Sequence, residues 1–594
     1  MNFKCIQDLA QHWQRTKNID HLDLLVDLCP PNMASDITLN CFRLAGPLKS
    51  NPMQLAIKAA EFLKTHEDIK QVEAIKAYVN IILTEKALYR DTVEDLQGLM
   101  KSASVAPYER KRVLIEYSAP NTNKPLHLGH LRNNSLGMAL VEILKRVGHD
   151  VTAVNLVNDR GIHICKSMIA YQRFGNNDTP GSTGKKGDHL VGDFYVAYDK
   201  ELKKQLKALK DQNPELSVKS DDELFLKTEI GLATHKMLQD WEDNDPEVHK
   251  LWQTMNGWTL NGFNQTYERM KVCFDKVYFE SDTYKLGRNI VDDGFRQGIF
   301  YKTSNGAVEI DLTTEKLDRK VVLRNDGTSL YITQDLGTTK LKANDFNPDT
   351  MIWVVGDEQI YHFRVLFAIC KKLGYKWAYN LFHLAYGMVN LPSGKMKSRE
   401  GTVVDADQLF DEIHALAKKE ILNRVIDLTP EELETRAEII GVGAVKFMLL
   451  KVNPKNAMKF DPEAAVKFEG DTGALVQYAY ARISSIKRKA SKKKINKAVD
   501  WSLLTHAKER ELAIKCAQYP GILKKSARDY DCCCLATYLL ELARTFNSFY
   551  HDCPVIKGDV SPLIRRSRLE LIDRVQKIIG DGLKVLTIDR LESM

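Results

Sequence analysis

Glu116-Tyr-Ser-Ala-Pro-Asn121-Thr-Asn-Lys124-Pro-Leu-His127-Leu-Gly129-His130-Leu131 is the stretch on which the reading of this 594-residue chain turns. Upstream, Arg112 to Tyr117 (RVLIEY) carries enough apolar and β-branched residues to be a strand. Downstream, Leu136, Leu140, Ile143 and Leu144 recur at helical spacing as far as Val147. A strand passing through a Pro/Asn turn into a helix is the layout of the first βα unit of a nucleotide-binding sheet. Asn121 and two prolines bar regular structure in the turn, and Gly129 removes a side chain where the helix begins. Backbone N–H groups there can face an anion, flanked by two histidines one turn apart. Such a pair also suits half of a metal site, or a polar helix start. The strand–turn–helix context favours a phosphate cradle.

Working outward, Val151 to Val157 supplies the second strand of this unit, and residues 171–290 read as a polar, largely helical insertion. Its opening, PGSTGKKGDHLVGDFY, has glycines and lysines but no Gly-Lys-Ser/Thr opening a helix after a strand. A solvated connecting loop is expected there. Phe300 to Lys302 and Ala307 to Leu312 form a hairpin around Ser304-Asn305-Gly306. Met351 to Val355 is a near-continuous apolar run, as in a strand buried on both faces of a parallel sheet. Ligands in such sheets lie beyond the carboxyl ends of strands, which is where Asp335 and Gln359 are expected. A last strand, His383 to Val389, enters Leu391-Pro-Ser-Gly394-Lys395-Met396-Lys397-Ser398-Arg399-Glu-Gly401, whose cations and glycines suit an anion clamp.

The flanks are of another character. Residues 1–105 combine helical periodicity (CIQDLAQHWQ, MQLAIKAAEFLKTH) with one strand, Ala77 to Leu83. Beyond about 405 the chain is helical, and between 487 and 497 seven of eleven residues are Lys or Arg. That run is either a solvated face or a contact to RNA backbone. The net charge of +7 permits a nucleic-acid partner without demanding one. Eleven cysteines without a CxxC pair indicate neither a disulfide framework nor a zinc ribbon, and fit a reducing cytoplasm. No basic start followed by an apolar run suggests a signal peptide, and no apolar run is long enough for a membrane span.

The string E-Y-S-x-P-N-x-x-K-P-x-H-x-G-H-L-R, here Glu116 to Arg132, resembles the first signature of class I aminoacyl-tRNA synthetases, and at this length that of the arginyl-tRNA synthetases. The Lys395 segment resembles the second class signature in degenerate form, with Ser398 where its second lysine belongs. The resemblance implies an α/β fold: a Rossmann-like parallel-sheet catalytic core between an N-terminal α+β domain and a C-terminal all-helical anticodon-binding domain. The expected boundaries are 1–105 for the tRNA-contacting domain, 106–410 for the core with its insertion, 411–469 for a helical linker and 470–594 for the anticodon domain.

The implied activity joins L-arginine to ATP, expels pyrophosphate, and transfers the arginyl group to the 3′ ribose of tRNA(Arg). ATP is expected with Mg²⁺, with no metal held tightly by protein side chains. A monomer with no membrane partner is expected. By the same resemblance, His127, His130, Lys124, Lys395 and Lys397 act on the phosphates, together with Gly129. Gly387 and Met388 seat adenine, and Gly356 and Asp357 seat ribose. Glu116 and Asp335 take the guanidinium, Tyr331 packs on it, and Asn121 and Gln359 hold the ammonium and carboxylate end. Lys124 is expected to supply the charge that Ser398 does not. A nucleotidyltransferase without tRNA, or a tRNA-binding protein without activity, is the competing reading; the helical tail opposes the first and the intact histidines and carboxylates the second.

Overall fold

The computed structural model describes residues 3–17, 24, 26–29, 35–326, 328, 330–390, 404–424, 428–491, 498–556 and 560–594. At the N-terminus, α1 (Lys4–Lys17) precedes β1 (Val26–Leu28) and β2 (Ile37–Asn40), and α2 (Pro52–Lys64) precedes β3 (Ile69–Ile75) and β4 (Tyr78–Leu83). The four strands form an antiparallel sheet in the order β1-β2-β4-β3. Val79, Ile81 and Leu83 alternate inward along β4, as period-two spacing requires.

The core begins with β5 (Arg112–Glu116), crosses through α3 (Leu128–Arg146) to β6 (Asp150–Val157), and continues with α4 (Ile162–Phe174), α5 (Gly187–Gln212) and α6 (Pro246–Met270) into β7 (Lys276–Phe279). A small antiparallel sheet follows: β8 (Tyr301–Lys302), β9 (Val308–Ile310) and β10 (Lys320–Leu323). Then α7 (Tyr331–Phe346) leads to β11 (Thr350–Gly356), and α8 (Ile360–Lys372) to β12 (Leu381–Tyr386). The main sheet is parallel throughout, in the order β12-β11-β5-β6-β7. The chain leaves β5 for β6 on one side and returns to β11 on the other. The crevice beyond Glu116 and Gly356 is therefore the switch point at which such sheets bind ligands.

Four expectations need correction. The fifth strand, β7, lies inside the stretch read as a helical insertion; only four residues long, it is an edge strand with Lys276 and Val277 exposed. The PGSTGKKGDHLVGDFY segment is not merely a solvated loop. α5 starts at Gly187, and Asp188 and Gly187 are buried against α6 and the residues after 403. Asp335 does not follow a strand; Ile332, Leu336 and Ala343 face inward at helical spacing, so it rides on α7. The strand expected from His383 to Val389 breaks at Gly387, after which β13 (Val389–Asn390) pairs in parallel with β14 (Met458–Lys459).

The remaining chain is helical, with α9 (Ala406–Leu422), α10 (Pro430–Leu450), α11 (Gly473–Ser491), α12 (Cys532–Asp552) and α13 (Pro562–Val585) as its long members. One continuous apolar core runs from the N-terminal sheet through the back of β5 and α3 into these helices. Lys487 of the basic run is tied to Asp573 and Gln576, while 492–497 lie outside the described residues. No helix among the described residues is long and apolar enough to cross a membrane.

Candidate active site

The turn after β5 is held in a conformation that L-residues rarely adopt: Ser118 and Ala119 have φ of 77° and 45°. Asn133 Oδ1 accepts the Ser118 N–H at 2.6 Å, Asn155 Oδ1 accepts that of Ala119 at 3.0 Å, and Ser118 Oγ lies 2.6 Å from the Tyr267 hydroxyl. Asn121 bridges Asn158 beyond the end of β6. The turn is thus fixed by α3, β6 and α6 together.

His127 is the N-cap of α3. Its Nδ1 accepts the Gly129 N–H at 3.1 Å, and His130 Nδ1 accepts the N–H of His127 at 3.2 Å. With both Nδ1 atoms accepting, each ring carries its proton on Nε2. Burial, reinforced by nearby Lys124, lowers the His127 pKa to about 4. Burial, with His127 and Lys124 adding to it, drives that of His130 well below the ordinary histidine value. The two rings, 4.0 Å apart, are therefore neutral Nε2–H donors at pH 7. Burial also lowers the pKa of Lys124. A Cβ at Gly129 would stand 2.9 Å from His127 Cε1, so the cap needs glycine.

Across the crevice stand the acidic groups. Glu116 is buried, and its carboxylate meets the ammonium of Lys342, itself buried under the Trp353 ring. Asp335 is half-exposed and takes a contact from His362 Nε2 at 2.6 Å. Tyr331, one turn earlier on α7, is 72 % exposed, its ring open to an incoming group. Sequence reasoning missed Glu280, directly after β7. Burial raises its pKa to about 7; Arg160 opposes this, and Asp159 and Asp335 add to it. Asp159 is buried and accepts from Ser281 N and Oγ at 2.9 and 2.7 Å. Asp159 and Asp335 thus each disfavour the charge on Glu280, and an added cation would favour it. Reading KVYF as a strand would have exposed Glu280 as the acid at its carboxyl end.

On the nucleotide side, Gly356 ends β11, and Asp357 to Gln359 form an exposed 3₁₀ turn. A Cβ on Gly356 would lie 2.3 Å from Glu358 Oε2. Gly387 is buried and Met388 is 51 % exposed. Lys395 and Lys397, with Ser398, lie outside the described residues.

Among the described residues one group has metal-ligand composition: Asp188, His189 and Asp407. The Lys186 ammonium already occupies it, 2.6 Å from Asp407 Oδ2 and 3.2 Å from Asp188 Oδ2. The group is a charged clasp between α5 and the start of α9, beside His127, which bridges Asp405.

Three family models account for most of the chain: "Arginyl tRNA synthetase N terminal domain" over residues 4–83, "tRNA synthetases class I (R), catalytic domain" over 94–461, and "DALR anticodon binding domain" over 476–594. The arginine–tRNA ligase of Bacteroides thetaiotaomicron is 42 % identical over 563 residues, 93 % of this chain and 92 % of its own. That of Flavobacterium psychrophilum is 44 % identical over 553 residues, 92 % and 90 % of the two chains. Among solved structures, Thermus thermophilus arginyl-tRNA synthetase superposes with a TM-score of 0.78 at 24 % identity, all of both chains covered.

Proposed function

Since the chain belongs to the arginyl-tRNA synthetase family, we propose that it activates L-arginine with ATP and transfers it to the 3′-terminal ribose of tRNA(Arg) through the crevice described above. The arginine carboxylate attacks the α-phosphorus of ATP in line, pyrophosphate leaves, and a ribose hydroxyl of the tRNA then attacks the arginyl carbonyl and releases AMP. Neither step needs a protein nucleophile; the demand is for positioning and for charge on the phosphates.

The observation that carries this reading is the capping arrangement of His127 and His130. It supports two neutral Nε2–H donors and the Lys124 ammonium acting together on ATP phosphates at the N-terminus of α3. Mg²⁺ accompanying ATP would add positive charge for the phosphates beside that supplied by Lys124, His127 and His130. Lys395 and Lys397 act on the departing pyrophosphate. Gly356 and Asp357 serve the ribose, Gly387 and Met388 the adenine.

For the substrate, Asp335 and Glu280 receive the guanidinium, whose five donors and permanent charge call for carboxylates in fork geometry. Tyr331 stacks on the planar cation. Asn121 and Gln359 hold the α-ammonium and carboxylate. Glu116 serves this pocket indirectly, through Lys342 and the end of β5. The fitting test is charging of purified tRNA with labelled arginine, run against lysine and cysteine. Arginine alone should be esterified; equal charging of lysine would overturn the pocket assignment.

A further inference from the structure

Arg132 is a large side chain with 0 % exposure, and no carboxylate is among its hydrogen-bond partners. Burying a cation without a counter-ion is expensive, and a methionine would fill the space more cheaply. The guanidinium is satisfied by carbonyls instead: Nη1 donates to Gly387 O at 2.5 Å, and Nη2 to Asn456 O at 2.9 Å, Pro454 O at 3.3 Å and Asn453 O at 3.4 Å. Its Nε–H is buried without a partner. Burial lowers the pKa of Arg132, while Tyr386 and Asp357 pull it the other way, so the cation lies within electrostatic reach of both.

The segments it joins are far apart in sequence and locked together in space. The Gly387 N–H donates to Pro454 O, and the Met458 N–H to Met388 O, each at 2.9 Å. A Cβ at Gly387 would stand 2.5 Å from the Ala457 nitrogen, so the two backbones touch. The outer side of the 453–456 turn is held by the C-terminal helices: Asn453 Nδ2 donates to Asp531 Oδ2 at 3.0 Å, and Asp531 is the N-cap of α12.

We propose that Arg132 is a positioning residue for ATP: it clamps the Gly387–Met388 seat to the 453–456 turn and gauges that seat from α3, the helix whose first turn carries the phosphate donors. The base end and the phosphate end of the nucleotide are thereby referred to one rigid element. This rests on Gly387–Met388 seating the adenine. A role in packing alone would alter stability or all kinetic constants together; a gauge for the nucleotide alters ATP binding selectively.

The test is steady-state charging at saturating tRNA with Arg132→Met, Arg132→Lys and Asn453→Ala. Arg132→Met should raise the ATP KM about tenfold or more, while the arginine KM stays within about twofold. Arg132→Lys, which keeps the charge and fewer donors, should fall between. If Arg132→Met does not fold, Arg132→Lys and the peripheral Asn453→Ala decide, each raising the ATP KM with the arginine KM unmoved. A folded Arg132→Met enzyme with both constants unmoved, or both raised alike, overturns the proposal. Met388→Asp separates the two possible failures. An ATP KM that responds to Met388 but not to Arg132 refutes the clamp alone; one that responds to neither refutes the seat as well.

Discussion

A guanidinium stays charged at any physiological pH, so whatever holds it must be anionic when it arrives. Glu280, pushed up to about 7 by burial and by Asp159 and Asp335, is half-protonated near neutrality. Its folded pKa lies above the ordinary 4.5, so its contribution to stability is full below 4.5 and is lost as pH rises through 7. Arginine binding has the opposite slope, because the cation must expel that proton. The arginine KM should therefore rise as pH falls from 8 to 6, with one proton linked, and Glu280→Gln should flatten the profile while raising the KM at pH 8. Asp335→Asn removes a charge-assisted contact worth about 1.5–3 kcal/mol, so the arginine KM should climb steeply with the ATP KM unmoved. If both constants shift together, Asp335 is structural. Lys124 sits at the other end of the site, its charge within reach of both signature histidines. Removing one electrostatic donor from a phosphoryl-transfer site costs roughly 10²–10³ in rate, so Lys124→Ala should lower kcat by that factor and spare arginine binding. Adding Ser398→Lys in that background should restore part of the loss; charging within a few-fold of the parent by Lys124→Ala alone would dismiss the idea.

At the scale of elements, the strand–turn–helix unit of β5 and α3 was legible because everything that defines it is local. Pro120, Asn121 and Pro125 break the chain, Gly129 opens the cap, and the apolar residues of α3 repeat at helical spacing. β11 announced itself by being buried on both faces. What escaped the sequence depends on partners brought together only by folding. β7 is four residues of an edge strand between long polar helices, too short for its period to stand out. That Asp335 rides on a helix was not legible because the buried small and polar residues Thr333, Gly337, Thr338 and Thr339 blur the stripe of Ile332, Leu336 and Ala343. The Glu116–Lys342 contact joins β5 to α7, and nothing near either residue foretells it. That contact makes a decisive prediction. Lys342→Met leaves an uncompensated carboxylate in the core and should destabilise the protein by about 3–5 kcal/mol, read as a lower thermal midpoint. Adding Glu116→Gln should recover most of it, since an apolar–neutral pair replaces an ion pair at little cost. Were Glu116 a guanidinium ligand, Glu116→Gln would instead raise the arginine KM and leave the midpoint alone.

At the scale of the whole molecule, the two terminal regions meet, and Arg146 on α3 donates to both, to Asp581 Oδ2 at 2.9 Å and to Met100 O at 3.3 Å. Arg510 reaches Asp36 at 2.5 Å and Glu85 at 3.1 Å, and the Tyr89 hydroxyl donates to Leu504 O at 3.0 Å, so the C-terminal helices lean on the N-terminal domain. The last residues fold back onto α10 and α11, where the buried Lys446 ammonium donates to Thr587 O at 2.7 Å and Gln477 Nε2 to Asp589 O at 2.8 Å. The Arg146 contacts connect both terminal regions to the helix that carries the phosphate donors. On the N-terminal surface, Phe42 and Tyr78 form an exposed edge-to-face pair, 55 % and 39 % accessible, of the kind that stacks on an unpaired base. If RNA binding selects the arrangement in which the phosphate donors and the carboxylates act together, amino-acid activation is coupled to it. ATP–pyrophosphate exchange with arginine should then run near background until tRNA(Arg) is added. Tyr78→Ala should raise the tRNA concentration needed for half-maximal exchange, yet leave the ATP KM at saturating tRNA unchanged, because it lies on the RNA side of the coupling. Brisk exchange by RNA-free protein would show instead that the crevice is complete without its second substrate, and that the contacts between the terminal regions and the core serve stability alone.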